Sequence, residues 1–225
     1  MLRRLFILCS ILLASQVQAQ PKIIQTEYEV ARDGKPFATV TEKFSQDGKQ
    51  YRIESTTKGI GIYALFGERK LLSTGSITDS GLKPARFESH QSSNPSKTLV
   101  ADFDWQNKVL SMQVKNKTKT ASLLDHTQDL LSYAYQFAYL PPQDQTVEIS
   151  LTTGKKLNHY TYIVEAETLR IGDKSYRTLH LSQNDQSESR QLWLAVDLHH
   201  IPVKILMTDE DGVKIEQTLS RYHME

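Results

Sequence analysis

From Ile24 to Val30 apolar and polar positions alternate. Ile24, Thr26, Tyr28 and Val30 fall on one side, and Gln25, Glu27 and Glu29 on the other. Period two predicts a strand with one wet face. Asp33-Gly34 follows, then Phe37 to Phe44, then Asp47-Gly48, then Tyr51, Ile53, Ser55 and Thr57 with Arg52 and Glu54 opposite. An Asp-Gly pair between alternating segments is a strong hairpin signal, because both residues tolerate the positive φ that tight turns need. The chain therefore opens as a three-stranded antiparallel meander. The same pattern resumes at Lys70 to Thr78, Pro84 to Ser89, Thr98 to Trp105 and Val109 to Val114. It continues at Val147 to Leu151, Asn158 to Ile171, Ser175 to Ser182, Arg190 to Val196, Val203 to Thr208 and Val213 to Tyr222. Turn residues separate these segments throughout, at the spacing of an all-β protein.

Two stretches break the alternation. Asp125 to Leu140 is the one long helical pattern after the N-terminus. Asp125 is placed to cap it, Gln128 stands three residues on as in a capping box, and Pro141-Pro142 ends it. Leu130, Leu131, Ala134, Phe137 and Ala138 share a broad apolar face; Asp129, Ser132, Gln136 and Tyr139 form a narrow polar ridge. Such a helix either lies on a sheet with its ridge in water, or fills a curved sheet with its ridge hydrogen-bonded inside. The second stretch, Gly59 to Gly67, is apolar and punctuated by glycine. Its default place is the core. Exposed, it marks a ligand or membrane contact.

A meander of about a dozen strands leaves open edges unless it curls or closes. The predicted fold is therefore all-β: a large antiparallel meander in a closed or half-open barrel, with the helix over about 125–140 plugging or covering it. No linker or repeat divides the chain, so one domain over 20–225 is expected.

The first 19 residues change the picture of where this domain works. Arg3 and Arg4 precede an apolar run from Leu5 to Ala14, and Val17-Gln18-Ala19 offers small residues for cleavage. This reads as a secretory signal peptide, too short to span a membrane as a helix. Cleavage after Ala19 removes Cys9, the single cysteine, and with it any disulfide or thiol chemistry. The expected compartment is the periplasm of a Gram-negative bacterium, with no transmembrane segment in the mature protein. The whole chain carries 27 basic and 26 acidic residues. Loss of Arg3 and Arg4 leaves 25 against 26, a net charge near −1, with no nucleic-acid footprint.

Candidate chemistry is thin. Seven histidines are present, without the spacing of a zinc protease, so no metal or cofactor is expected. No nucleophile elbow or phosphate loop occurs. Asp102, Asp104 and Asp129 supply carboxylates of the kind that act on polysaccharides, although such residues more often cap turns and helices.

Several local patterns recur in one order. They are Tyr51-Arg52-Ile53-Glu54-Ser55, Thr74-Gly75-Ser76-Ile77, Gly81-Leu82-Lys83-Pro84 with Phe87, and Phe103-Asp104-Trp105. Gln128-Asp129-Leu130-Leu131-Ser132 follows, then Leu192-Trp193-Leu194-Ala195 with Ile201-Pro202-Val203-Lys204. In this the chain resembles the bacterial exported proteins grouped as domain of unknown function 3108, over nearly the whole mature length. That family carries no established activity and implies no catalytic residue. The tryptophan followed by an isoleucine-proline strand is also similar to periplasmic lipoprotein carriers, in which a curved sheet wraps helices around an apolar cavity; this likeness is one of fold.

The expectation is a non-enzymatic periplasmic protein that binds a lipid or other amphiphile in a cavity of its curved sheet. The residues expected to line that site are Ile60, Ile62, Tyr63, Leu65 and Phe66 with Asp129, Ser132 and Gln136. The alternatives are an adaptor that pairs with an envelope protein through exposed strand edges, and, third, a cell-wall polysaccharide enzyme.

Overall fold

The computed structural model describes residues 20–115, 117–183 and 189–225. The expected signal peptide, with Cys9, lies outside the described residues. Fifteen strands form one sheet: β1 (Ile23–Arg32), β2 (Lys35–Asp47), β3 (Gln50–Gly59), β4 (Arg69–Thr78), β5 (Gly81–Gln91), β6 (Leu99–Asp104), β7 (Val109–Val114), β8 (Lys117–Ser122), β9 (Gln128–Asp129), β10 (Thr146–Thr152), β11 (Leu157–Ile171), β12 (Lys174–Ser182), β13 (Ser189–Ala195), β14 (Ile201–Thr208) and β15 (Lys214–Met224). The one α-helix described, α1, is Ser132–Tyr139.

The strand order is β8-β7-β6-β5-β4-β3-β2-β1-β15-β14-β13-β12-β11-β10-β9. Every neighbour in space is a neighbour in sequence except at β1–β15, where the first and last strands pair antiparallel. The sheet is not closed. Its two edges, β8 and β9, are consecutive in the chain, and between β9 and β10 the chain leaves the sheet to form α1. The seam of the would-be barrel lies where the helix enters.

The turns follow their residues. Asp33 and Gly34 both take positive φ, 49° and 76°, which suits the twist of a two-residue hairpin. Two more strands are present than the alternation reveals. β8 (Lys-Thr-Lys-Thr-Ala-Ser) is almost wholly exposed and has no apolar period. β9 is two residues long and pairs parallel with Leu151 and Thr152 of β10. Neither carries a signal that periodicity can detect.

The helix differs from expectation in length and surroundings. Residues 125–127 turn, Gln128 and Asp129 pair with β10, and the α-helical hydrogen bonding begins only at Ser132. Every residue from Ser132 to Ala138 is buried. The apolar side chains pack into a core drawn from both halves of the sheet. Ile24, Phe44, Ile53, Phe87 and Leu110 come from the first half, and Leu151, Tyr162, Leu181 and Leu192 from the second. The strands therefore curl around α1, and the helix fills the lumen. Curling brings the two wings into contact: Thr152 Oγ1 on β10 donates to Met112 Sδ on β7 at 3.4 Å. The turn at Gly154 sits so close that a Cβ there would lie 3.2 Å from Leu99 Cβ and from the Phe87 ring. A second, smaller core joins Tyr28, Val30 and Val40 to Trp193, Val203 and Leu219.

Truncating Phe137 to alanine removes a ring packed at the centre of this arrangement. Phe137→Ala is expected to cost about 3–5 kcal/mol of stability, whereas Leu65→Ala, on the surface, should change it by less than about 0.5 kcal/mol. Urea denaturation of the two variants checks the contrast.

Candidate functional site

The polar ridge of α1 is built into the interior. Asp129 Oδ1 accepts the N–H groups of Leu131 and Ser132, each at 2.9 Å, and Ser132 Oγ accepts the Asp129 N–H at 2.9 Å. This is the reciprocal bonding of a capping box, but it closes the turn that leads into α1, whose own N-cap, Leu131, has no side-chain cap bond; the Asp125–Gln128 pair expected from sequence does not start the helix. Asp125 is instead exposed and ion-paired with Lys108. The second oxygen of Asp129 receives the Ser73 hydroxyl of β4 at 2.6 Å, and Ser73 Oγ lies 3.1 Å from Tyr51 Oη. Gln136 Oε1 accepts the Leu82 N–H at 2.6 Å, and its Nε2 donates to Ser80 O at 3.2 Å, stitching α1 to the β4–β5 turn. Tyr139 donates to Gln46 at 2.8 Å and Tyr135 to Glu42 at 3.1 Å, both on β2.

Two carboxyl groups face this interior without an ion pair among the described residues. Burial pushes the pKa of Asp129 up to about 6, although the bonds from Ser73, Ser132 and Leu131 all favour its charged form. Burial also raises that of Glu42, opposed by hydrogen bonds from Ser55 and Tyr135. Asp129 offers little to a substrate: it is fully buried and its oxygens are bound to three donors of its own chain. The acids grouped with it from sequence lie elsewhere. Asp102 is paired with Arg86 at 2.6 Å, and Asp104 accepts from Asn107 in a turn. Both are exposed, flanking the inward Phe103. No cluster of three or more metal-ligating side chains occurs among the described residues.

The apolar stretch is not core. Gly61–Phe66 forms a 3-10 turn between β3 and β4 with none of its residues buried. Ile62 is 74% exposed, Leu65 86% and Phe66 65%; Ile60 is also exposed. Tyr63 alone packs back, edge-on to Phe37 with centroids 4.6 Å apart. The lip is fixed by its backbone. Ile60 N–H reaches Phe37 O at 3.0 Å, and Phe66 O accepts from Gln91 Nε2 at 2.6 Å and from Ser93 Oγ at 2.5 Å. Gly59 is required here, since a Cβ would fall 2.3 Å from Tyr63 O. Of the two places expected for this stretch the structure takes the exposed one, and nothing in an apolar run says that its anchors are backbone groups. Cations stand at the ends of the strands that flank the lip. Lys58 and Lys70 share Glu68, at 3.1 and 3.7 Å, while Arg69 donates to Ser89 Oγ at 3.3 Å and has no carboxylate partner among the described residues.

The structure therefore separates the residues expected to form one site. Ile60, Ile62, Tyr63, Leu65 and Phe66 stand at the Arg69 end of β4. Gln136 is tied to Ser80 and Leu82 beyond its other end, and Asp129 and Ser132 lie between, buried. Among the described residues, α1 and the side chains packed on it occupy the lumen between them. Sequence reasoning also missed an open groove of about 740 Å³ beside the end of α1. It is lined by Phe137, Leu140 and Pro141 together with Val147, Glu148 and Ile149 of β10. Its one sequence signal is that β10 follows a helix, so no preceding hairpin strand covers its edge.

Comparison with known proteins agrees with this geometry. The family model described as "Protein of unknown function (DUF3108)" matches residues 27–218. The chain belongs to this family. The DUF3108 match thus runs from β1 to β15 and includes the lip, α1 and the groove. No match is found among curated proteins. Among solved structures, the chain is similar to a beta-barrel-like protein of domain of unknown function DUF1849 from Brucella abortus. Identity is 9%, the TM-score is 0.59, and the match covers 92% of this chain and 99% of that one. At that identity the likeness is of fold, and it sets this DUF3108 protein among barrel-like sheets.

The buried carboxyl of Asp129 predicts a pH dependence. An aspartate in the unfolded chain titrates near pH ~4; here it titrates at about 6. Between those values the folded protein holds a proton that the unfolded chain has released. Its contribution to stability is full below pH ~4, falls as pH rises, and levels off above ~6, a loss on the order of 3 kcal/mol. Denaturation of wild type and Asp129→Asn between pH ~4 and ~7 should show the wild type losing stability relative to the variant across that window. Parallel profiles contradict the assignment.

Proposed function

We propose that this protein is a non-enzymatic component exported to the periplasm, and that it engages an amphiphile, a lipid of the envelope, through the apolar lip rather than through a cavity in its sheet. One observation carries the reading. Ile62, Leu65 and Phe66 are held outward on a backbone-anchored turn, beside basic residues at the ends of β3 and β4. Exposed apolar groups fixed in place mark an interaction surface. Burying two such side chains in acyl chains is worth about 1.5–3 kcal/mol each. Lys58, Arg69 and Lys70 outnumber the local Glu68, so the complementary headgroup is anionic. The absence of chemistry in this reading is supported by Asp129, whose oxygens are occupied by its own chain, and by its separation from Asp102 and Asp104.

Vesicle flotation of the mature protein tests this. Wild type should float with vesicles containing phosphatidylglycerol and less with phosphatidylcholine alone. Leu65→Ser with Phe66→Ser should lower vesicle affinity by at least about tenfold, with the β-sheet circular dichroism unchanged. Arg69→Gln should weaken only the anionic preference. Equal flotation of the double variant and wild type, or no flotation of either, removes the lip from this role.

A further inference from the structure

The groove beside α1 runs along a strand edge that no strand among the described residues pairs over most of its length. β10 spans Thr146–Thr152, but β9 covers only Leu151 and Thr152 on that side. The hydrogen bonding of the remainder follows from its register. Val164 donates its N–H to Gln145 O at 2.8 Å, and Thr146 is opposite Ile163. In an antiparallel ladder bonded and non-bonded pairs alternate. Val147, Ile149 and Leu151 therefore bond to β11, while Thr146 and Glu148 turn both their N–H and C=O groups, and Ser150 its N–H, to the free side; the Ser150 C=O faces the parallel β9 at Gln128. The chain that could continue β9 along this track bends away: Thr127 N–H bonds back to Leu124 O at 3.2 Å, and His126 takes φ 61°. Five consecutive residues, Thr146 to Ser150, line the groove that remains. Gln128 also lines it, and its buried Oε1 has no donor among the described residues.

The two edges of the sheet are treated differently. β8 is exposed and carries Lys117 and Lys119, charges that discourage pairing. The β10 edge carries no lysine and faces the apolar wall of Phe137, Leu140 and Pro141. The charge around it is acidic. Asp125, Asp144 and Glu148 line the groove, with no lysine or arginine among its lining residues. Asp125 is paired with Lys108; Asp144 and Glu148 are in no ion pair among the described residues. A second copy pairing edge to edge would bring these carboxylates together, which is unfavourable.

We propose that this groove is a strand-addition site for an extended segment of a partner protein, alternating apolar residues with basic ones. Its main chain would complete the edge at Thr146, Glu148 and Ser150. Its apolar side chains would lie on the face of Val147 and Ile149, and its basic ones beside Glu148 and Asp144. The lip and this groove lie toward opposite ends of β4, so the inference stands apart from the amphiphile reading and each can fail alone.

The probe is a hexapeptide of alternating lysine and valine, added to the mature protein, with amide hydrogen exchange followed by NMR. Exchange at Thr146, Glu148 and Ser150 should slow by about tenfold or more at saturation. A glutamate–valine peptide, and a lysine–valine peptide interrupted by proline, should give no such slowing. Glu148→Pro removes an outward N–H at an edge, where proline is tolerated, and should weaken binding by at least about tenfold. Glu148→Gln keeps the edge and should lose mainly the salt dependence. Thr146→Pro serves the same purpose if Glu148→Pro does not fold. Unchanged exchange with the lysine–valine peptide overturns the proposal. So does slowing produced by oleate alone, or slowing that rises with protein concentration in the absence of peptide, which would assign the edge to a lipid or to a second copy.

Discussion

A helix with no side in water is the constraint on which the rest depends. From Ser132 to Ala138 every side chain of α1 is buried, and four of them, Ser132, Tyr133, Tyr135 and Gln136, are polar or carry a hydroxyl that needs a partner. Those partners must come from the sheet, and they do: Ser73 for the Asp129 cap, Leu82 and Ser80 for Gln136, Glu42 for Tyr135. Bonds to β2, β4 and the β4–β5 turn fix the helix from one side, and the apolar residues of β10 to β13 cover it from the other. A flat sheet could not meet both demands. The curl of the meander and its failure to close are two consequences of one helix entering at the seam between β8 and β9.

Filling the lumen also decides where function can reside. A curved sheet wrapped around a helix can leave a cavity between them, but here aromatic and aliphatic side chains occupy that space. What remains available is the periphery: a rigid apolar lip with cations beside it, and a strand edge left uncovered because the chain went inward. These two surfaces differ in chemistry. One presents hydrocarbon and positive charge; the other presents main-chain hydrogen-bonding groups and negative charge.

Much of the fold was legible in the residues because its signals are local. Alternation from Ile24 to Val30, Asp-Gly turns and the proline stop after Leu140 each act within a few residues. The helix start is displaced from Asp125 to Ser132, about two turns, because Gln128 and Asp129 are held by β10 and Ser73 instead of entering the helix. β8 escaped detection because an exposed edge strand has no apolar face to show. The site was less legible still. Ile60 to Phe66 reads as core by composition, and bonds from its backbone to Phe37 and to the side chains of Gln91 and Ser93, with Tyr63 packed on Phe37, hold it outside. The groove is a property of pairing that is missing, which no single residue encodes.

Native-state hydrogen exchange of the α1 amides tests the central claim most directly. If the sheet is organised around a buried helix, the Gln136 to Leu140 amides exchange only through global unfolding, with the same free energy as the slowest amides of β1 and β2. Exchange of α1 through a local opening several kcal/mol below that of the sheet would contradict it, because the sheet would then persist without its helix.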